Sequence, residues 1–127
     1  MSRLVLIVDD AEQCTDTLEV ALFGLPGVDI VAAQSAEAAL EMMVERPVSA
    51  FVTDLHLPRM SGFDLIRRVR EHPAYSHVPI LVISGDCDPG TPDRLRALGA
   101  NAFFPKPYSP SAVRKKLEVL LDAIPSV

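Results

Sequence analysis

Apolar residues recur along the chain in five short runs, each about as long as a β-strand. The runs lie at Leu4–Val8, Val28–Ala32, Ala50–Val52, Ile80–Ile83 and Ala102–Phe104. Several of them are continuous rather than alternating, which is typical of strands that are buried on both faces. We therefore predict five strands in a sheet that is covered on both sides.

The segments between these runs space their apolar residues three or four apart, as on one face of an α-helix. Such segments lie at Leu18–Leu25, Ala36–Met43, Phe63–Val69 and Val113–Ile124. A shorter helix of about two turns is predicted between Thr91 and Gly99. Each predicted strand is thus followed by a predicted helix.

The residues at the predicted helix ends agree with this pattern. Ser35 is placed to cap the second helix, and Thr91 and Ser109 each put a hydroxyl directly before a proline at the first helical position. Gly99 stands where the fourth helix should end. The segment 86–92 is rich in turn residues, and we expect it to be the most mobile part of the chain.

Five strand–helix units in 127 residues predict one α/β domain. It should be a doubly wound (βα)5 parallel sheet with right-handed crossovers and helices on both faces. We assign residues 1–124 to this domain and 125–127 to a C-terminal tail. In such sheets, functional groups gather at the carboxyl ends of the strands.

Composition excludes several classes of protein. The net charge of -5 comes without a basic stripe, which argues against direct nucleic-acid binding. The basic cluster of Arg67, Arg68 and Arg70 is assigned to the exposed face of the third helix. Two distant cysteines give no zinc or disulfide framework, and the first apolar stretch is too short for a signal peptide or a membrane span. We expect a soluble cytoplasmic protein that does not bind membranes.

Carboxylate, hydroxyl or ammonium side chains follow four of the five predicted strands, and the second strand ends in Ala32-Ala33-Gln34 with no comparable group. Asp9 and Asp10 follow the first, Asp54 the third, Ser84 the fourth and Lys106 the fifth. Three carboxylates at one edge repel one another and oppose folding unless a cation neutralises them. An oxygen-only set suits Mg²⁺, whereas the lysine and the hydroxyl suit a phosphoryl group.

A carboxylate can itself attack phosphorus and form an acyl phosphate. Asp54 is favoured as this nucleophile because it is single and central, whereas the pair Asp9 and Asp10 is better placed to hold a metal. An ionised carboxylate has no proton to remove, so a separate general base is not required. Catalysis would then consist mostly of positioning and charge neutralisation.

Four segments together resemble the CheY-like receiver domain of bacterial two-component response regulators. They are "LIVDD" (6–10), "VTDLHLPRMSG" (52–62), "LVISG" (81–85) and "AFFPKP" (102–107), in the order and approximate spacing of that family. The resemblance implies a flavodoxin-like fold with strand order 2-1-3-4-5. It also implies a signalling module rather than an enzyme, with a histidine kinase or a histidine phosphotransfer protein as the phosphodonor.

The resemblance assigns a role to each residue at the acidic edge. Asp54 would accept the phosphoryl group, and Asp9, Asp10, Asp54 and the backbone carbonyl of His56 would hold Mg²⁺, with Asp10 the favoured direct ligand of the acidic pair. The Lys106–Pro107 peptide bond matches a step that is often cis in the family, and we predict a cis bond.

The resemblance also identifies the parts of a switch. Ser84 matches the switch hydroxyl, in place of the commoner threonine, and Phe103 matches the switch aromatic, without the hydroxyl of a tyrosine. Phosphorylation would draw Ser84 to the phosphoryl group beside Lys106 and change the surface of the fourth helix, fifth strand and fifth helix. A downstream effector or a second copy would bind there. His56 and Asp86 occupy positions that tune the lifetime of the phosphoryl group.

Three other functions fit the residues less well. A phosphatase that forms an aspartyl phosphate would also use an Asp nucleophile and Mg²⁺, but its DxD pair is absent because His56 stands two residues after Asp54. A pseudo-receiver that only binds partners is disfavoured because every acidic and basic residue of the site is present. A nucleotide hydrolase is disfavoured because the chain has no GxxxxGK[ST] motif.

Overall fold

Five strands and five helices alternate in the computed structural model, which describes residues 3–86 and 88–122. The strands are β1 (Arg3–Val8), β2 (Val28–Ala33), β3 (Ala50–Thr53), β4 (Ile80–Ser84) and β5 (Ala102–Pro105). The helices are α1 (Glu12–Leu22), α2 (Ala36–Glu45), α3 (Gly62–Glu71), α4 (Thr91–Leu98) and α5 (Pro110–Asp122), and a short 3₁₀ turn (Pro73–Tyr75) follows α3. Each predicted element is confirmed, whereas Ile124 and the predicted boundary at residue 125 lie outside the described residues.

The strands form one sheet in the order β2-β1-β3-β4-β5, with every neighbouring pair parallel. This is the predicted order 2-1-3-4-5. The direction of winding reverses between β1 and β3, and such a switch point opens a crevice at the carboxyl ends of the two strands. The residues that follow β1, β3 and β4 are therefore brought to one edge.

Successive residues of the central strands face opposite sides of the sheet and enter two separate cores. Leu6 and Phe51 pack with residues of α2, α3 and α4, whereas Ile7 and Val52 pack with residues of α1 and α5. All four side chains are almost completely buried. Burial of each such side chain stabilises the fold by about 1.5–3 kcal/mol, so the strands that carry the polar edge residues are rigid supports.

Most predicted helix ends are confirmed, and one is wrong. Ser35 and Ser109 each accept a backbone N–H from the residue three positions later, and Gly99 ends α4 with a φ of 100°. Thr91 does not cap α4 but is its first residue, and its hydroxyl donates to Asp86 Oδ1 at 3.2 Å. The Thr91 hydroxyl bonds to this carboxylate and not to the helix, because a hydrogen bond to a charged acceptor is stronger than one to a neutral group.

The third helix corrects the prediction for its arginines. Arg67 and Arg68 are exposed as expected, but Arg70 is half-buried. Its Nε and Nη2 donate to the carbonyl oxygen of Gly99 at 3.1 and 2.6 Å, and Nη2 also donates to Asn101 Oδ1 at 3.1 Å. Carbonyl groups at the end of α4 lack helical partners, and a guanidinium can satisfy them while its stem stays among apolar groups.

No helix within residues 3–86 and 88–122 combines the length and the apolar character that crossing a membrane would need.

Candidate functional site at the carboxyl edge of the sheet

Lys106 joins two buried carboxylates at this edge. Its Nζ lies 3.0 Å from Asp54 Oδ2 and 3.7 Å from Asp9 Oδ2, and the two aspartates are 7% and 3% exposed. Although burial disfavours the charged ammonium, its hydrogen bond with Asp54 and the charges of both carboxylates raise the pKa of Lys106. Lys106 therefore stays protonated at neutral pH and neutralises one of the two charges.

Asp54 is fixed by the main chain that follows β3. Its Oδ1 accepts the backbone N–H groups of Leu55 at 2.6 Å and of His56 at 3.2 Å, because the loop turns sharply and points both groups back at the carboxylate. Its Oδ2 faces Lys106. One oxygen is thus held in place, and the other lies beside a positive charge.

Asp9 is a buried acid in an unfavourable electrostatic position. Its Oδ1 accepts the backbone N–H of Ala11 at 2.9 Å. Burial raises the pKa of Asp9, and the charges of Asp54 and Asp10 raise it further. Because Asp10 is exposed at the rim of the same edge, the cluster keeps an excess of negative charge. This arrangement favours a bound cation.

The donors at this edge fit Mg²⁺, although they do not form a closed cage. In the part of the chain that the structure describes, no three His, Cys, Asp or Glu side chains are grouped so as to hold a metal by themselves. Mg²⁺ commonly takes only one or two carboxylates and completes its shell with water and phosphate oxygens. The roles of Asp10 and of the His56 carbonyl as direct ligands stay predictions.

Ser84 is completely buried at the end of β4. Its hydroxyl accepts the backbone N–H of Asp86 at 3.2 Å, and its carbonyl accepts the backbone N–H of Lys106 at 2.8 Å. The pairing of β4 with β5 therefore places the hydroxyl at the end of one strand and the lysine directly after the end of its neighbour. The structure brings Ser84 to the same edge as the two buried aspartates, as the sequence predicts.

Phe103 occupies β5 next to this edge. It is half-buried and packs against the core under α2, α3 and α4, whereas Phe104 packs against the opposite core. Its part in a switch stays a prediction. The Lys106–Pro107 peptide bond is cis, as predicted.

His56 and Asp86 form a contact between the loops that follow β3 and β4. The exposed ring of His56 places Nε2 at 3.6 Å from Asp86 Oδ2. The two positions that the family resemblance connects with phosphoryl lifetime therefore meet in space. Their effect on that lifetime stays a prediction.

Gly62 contributes to the site in a way that the sequence did not reveal. It is the first residue of α3, and its N–H donates to the Leu55 carbonyl at 2.9 Å. A Cβ at this position would overlap the Asp54 carbonyl oxygen and lie 2.7 Å from Leu55 Cα. The helix itself does not require a glycine directly after its capping residue Ser61. The presence of a glycine there was the signal from which this close contact could have been predicted.

Cys14 also borders the site. Its Sγ lies 3.9 Å from Lys106 Nζ, and burial, followed by the charge of Asp9, raises the pKa of the thiol. The thiol is therefore uncharged at neutral pH and adds no further negative charge. Cys14 lies in the first turn of α1, ahead of the predicted helical segment Leu18–Leu25, and the sequence gave no signal of this contact.

We expect Asp9→Asn to raise the melting temperature in metal-free buffer by about 3–5 °C, or about 1 kcal/mol. A carboxyl whose pKa is raised by folding stabilises the fold below its ordinary pKa, and that stability is lost as pH rises through the folded value. At pH 7 the ionised form of Asp9 is therefore unfavourable. The amide removes this charge and keeps an acceptor for Ala11.

Thermal unfolding with EDTA and with Mg²⁺ tests this expectation. Mg²⁺ should stabilise the wild type more than the variant, because a ligand of the native state stabilises it by mass action. Asp16→Asn, on the exposed face of α1, is the matched control. It should change neither the melting temperature in EDTA nor the increase that Mg²⁺ causes. A lower melting temperature for Asp9→Asn in EDTA would contradict the electrostatic argument.

Comparisons with known proteins agree with this geometry. Residues 5–118 match the family described as the response regulator receiver domain. The chemotaxis protein CheY1 of Helicobacter pylori is 29% identical over 120 residues, which cover 92% of this chain and 95% of that protein. The family match spans every residue of the acidic edge.

Two solved structures share the fold. The chemotaxis response regulator CheY4 of Vibrio cholerae superposes with a TM-score of 0.84 at 25% identity, covering 94% of this chain and 99% of that one. The Mn²⁺-bound form of the response regulator Rcp1 has a TM-score of 0.84 at 14% identity, covering 98% and 99%, and this likeness concerns the fold alone. The sequence match over residues 5–118, the strand order and the residues at the sheet edge all agree, and the chain belongs to the response regulator receiver domain family.

Proposed function

We propose that Asp54 is the phosphoacceptor of this receiver domain and takes its phosphoryl group from a phosphohistidine of a histidine kinase or a histidine phosphotransfer protein in the cytoplasm. The observation that carries the proposal is the placement of Lys106 between buried Asp54 and Asp9 at the switch point of the sheet. A phosphatase is not favoured, because the family that matches residues 5–118 is the response regulator receiver domain.

The transfer requires little chemistry from the protein. A lone pair of Asp54 Oδ2 attacks the phosphorus, and the bond between phosphorus and the donor imidazole nitrogen breaks. The electron pair of that bond stays on the imidazole, which takes up a proton from solvent. Asp54 then carries an acyl phosphate. The backbone hydrogen bonds to Oδ1 support this assignment, because they hold the carboxylate while Oδ2 reacts.

Lys106 and Ser84 are suited to the phosphoryl oxygens. The ammonium provides a compact positive charge, and the Ser84 hydroxyl, which serves as an acceptor toward Asp86, keeps its proton for another acceptor. Phosphorylation adds about 1.5–2 negative charges and three strong acceptors. We propose that Ser84 and Phe103 respond to this change and that the surface of α4, β5 and α5 then binds a downstream effector or a second copy.

We propose that Asp9, Asp10, Asp54 and the His56 carbonyl hold Mg²⁺. When bound, the ion would neutralise negative charge on the acidic edge and on the incoming phosphoryl group. The excess charge of the buried cluster supports this proposal. The Mn²⁺-bound form of Rcp1, which has the same fold, supports a divalent ion in general terms.

The test is phosphorylation with acetyl phosphate, followed by intact-protein mass. We expect a mass increase of one phosphoryl group with Mg²⁺ and no increase with EDTA, because the carboxylates repel the donor unless a cation neutralises them. The reaction releases acetate and needs no other protein. Failure to form the adduct with Mg²⁺, or an adduct of equal yield in EDTA, would contradict the proposal. Steady hydrolysis of p-nitrophenyl phosphate would favour the phosphatase instead.

A further inference from the structure

Helix α4 is held firmly at its C-terminal end. Gly99 closes the helix in the left-handed region and donates its N–H to the Arg96 carbonyl. The guanidinium of Arg70 makes two hydrogen bonds with the Gly99 carbonyl and a third with Asn101 Oδ1. Hydrogen bonds from a charged, half-buried donor are among the stronger ones in proteins. This end of α4 is therefore tied to α3 and to the start of β5.

Among the described residues, two carboxylates of the preceding loop, those of Asp86 and Asp88, hold the N-terminal end of α4. The Thr91 hydroxyl donates to Asp86 Oδ1 at 3.2 Å, and the same oxygen accepts the backbone N–H of Asp88 at 2.8 Å. Asp88 Oδ1 in turn accepts the N–H of Gly90, which precedes the helix and has no side chain with which to cap it. The described side-chain hydrogen bond from this first turn to the loop is thus the one between Thr91 and Asp86, while the guanidinium of Arg94 lies 3.8 Å from the centroid of the Phe63 ring on α3.

Asp86 is also in direct contact with the switch hydroxyl. Its backbone N–H donates to Ser84 Oγ at 3.2 Å, while its side chain holds Thr91. The backbone N–H of Asp88 lowers the pKa of Asp86, with further contributions from Thr91 and His56, so the carboxylate is ionised at neutral pH. A displacement of Ser84 is therefore transmitted through one residue to the first turn of α4.

We propose that Asp86 is a positioning residue that fastens the first turn of α4 through Thr91, and that this hydrogen bond must break before the turn can follow Ser84 toward a phosphoryl group on Asp54. The trigger rests on the proposed function. The fastening itself exists without phosphate and is measurable without it. The expected motion is largest at Thr91 and smallest at Gly99.

Residue-resolved amide hydrogen exchange of the unphosphorylated protein tests the fastening. Thr91→Val keeps the shape of the side chain but removes the hydroxyl. In this variant we expect the backbone amides at positions 91 and 94 to exchange about tenfold faster than in the wild type. These amides donate to the carbonyls of Asp88 and Gly90. The Gly99 amide should keep its wild-type rate. Thr91→Ser should restore slow exchange, because it retains the hydroxyl.

A matched control separates this effect from general loosening. Thr17→Val removes an exposed hydroxyl of α1 that bonds within its own helix, and it should leave α4 unchanged. Wild-type exchange rates at Thr91 and Arg94 in Thr91→Val would overturn the proposal. So would equally faster exchange throughout the β-sheet, or a failure of Thr91→Ser to restore the slow rate.

The coupling to the phosphoryl site is tested by the extent of phosphorylation at limiting acetyl phosphate with Mg²⁺. If phosphorylation has to break the hydrogen bond between Thr91 and Asp86, a variant without that bond no longer meets this cost, and the phosphorylated fraction of Thr91→Val should rise severalfold over wild type. An unchanged fraction would overturn the link between Asp86 and Ser84. If the wild type forms no adduct at all, the proposed function fails, whereas hydrogen exchange still decides whether Asp86 fastens α4.

Discussion

Asp54→Asn is expected to abolish the phosphoryl adduct that acetyl phosphate and Mg²⁺ form on the wild-type protein. The amide oxygen is a far poorer nucleophile than a carboxylate, and Asp54 Oδ2 is the oxygen that faces Lys106. The amide keeps the size of the side chain and an acceptor for the Leu55 N–H, so the fold should persist. Intact-protein mass after a fixed incubation measures the loss.

The same substitution away from the site provides the control. Asp93→Asn on α4 removes an exposed carboxylate that forms an ion pair with Arg96, three residues later, and it should be phosphorylated like the wild type. Thermal unfolding of both variants shows whether they are folded. An adduct of wild-type yield on folded Asp54→Asn would place the acceptor on another residue and refute the assignment.

Gly62→Ala is expected to destabilise the protein by about 2–4 kcal/mol and to slow its phosphorylation strongly. Alanine favours a helix by about 1 kcal/mol at most, whereas the new methyl group would overlap the Asp54 carbonyl oxygen. That oxygen belongs to rigid backbone, so α3 must shift or the loop must distort. Either change displaces the N–H groups of Leu55 and His56 that hold Asp54 Oδ1.

Chemical denaturation and the initial rate of adduct formation measure the two effects. Gly90→Ala is the matched control, because its methyl group would lie 3.5 Å from Asp88 Oδ1, an ordinary contact. We expect it to lose less than about 1 kcal/mol, the usual difference between glycine and alanine before a helix. Wild-type stability of Gly62→Ala would show that the interface between α3 and the loop yields easily.

The sequence was most informative where burial decides the pattern. The continuous apolar runs of β1, β3 and β4 predicted a sheet covered on both faces, and Leu6 and Ile7 do enter opposite cores. Once the strands were placed, the rule that functional groups lie at their carboxyl ends brought Asp9, Asp54 and Lys106 to one edge. The contacts of Lys106 with both carboxylates confirm that arrangement.

Contacts between residues distant in sequence were beyond such patterns. Thr91 has the sequence environment of a cap, but its hydroxyl bonds to Asp86 because the loop brings a carboxylate within reach. Arg70 follows exposed arginines, yet the carbonyl groups at the end of α4 draw it inward. Gly62 is required because the backbone of Asp54 and Leu55 lies too close for a side chain. Helix propensity alone does not predict such a contact.

The hydrogen bond from the Lys106 backbone N–H to the Ser84 carbonyl has a consequence for variation among such proteins. It involves main-chain atoms alone, so the spacing between the two positions does not depend on which side chains occupy them. An exchange of serine for threonine at position 84 therefore alters local chemistry without moving the lysine. The main chain alone therefore keeps the ends of the two strands in register, whatever side chain stands at position 84.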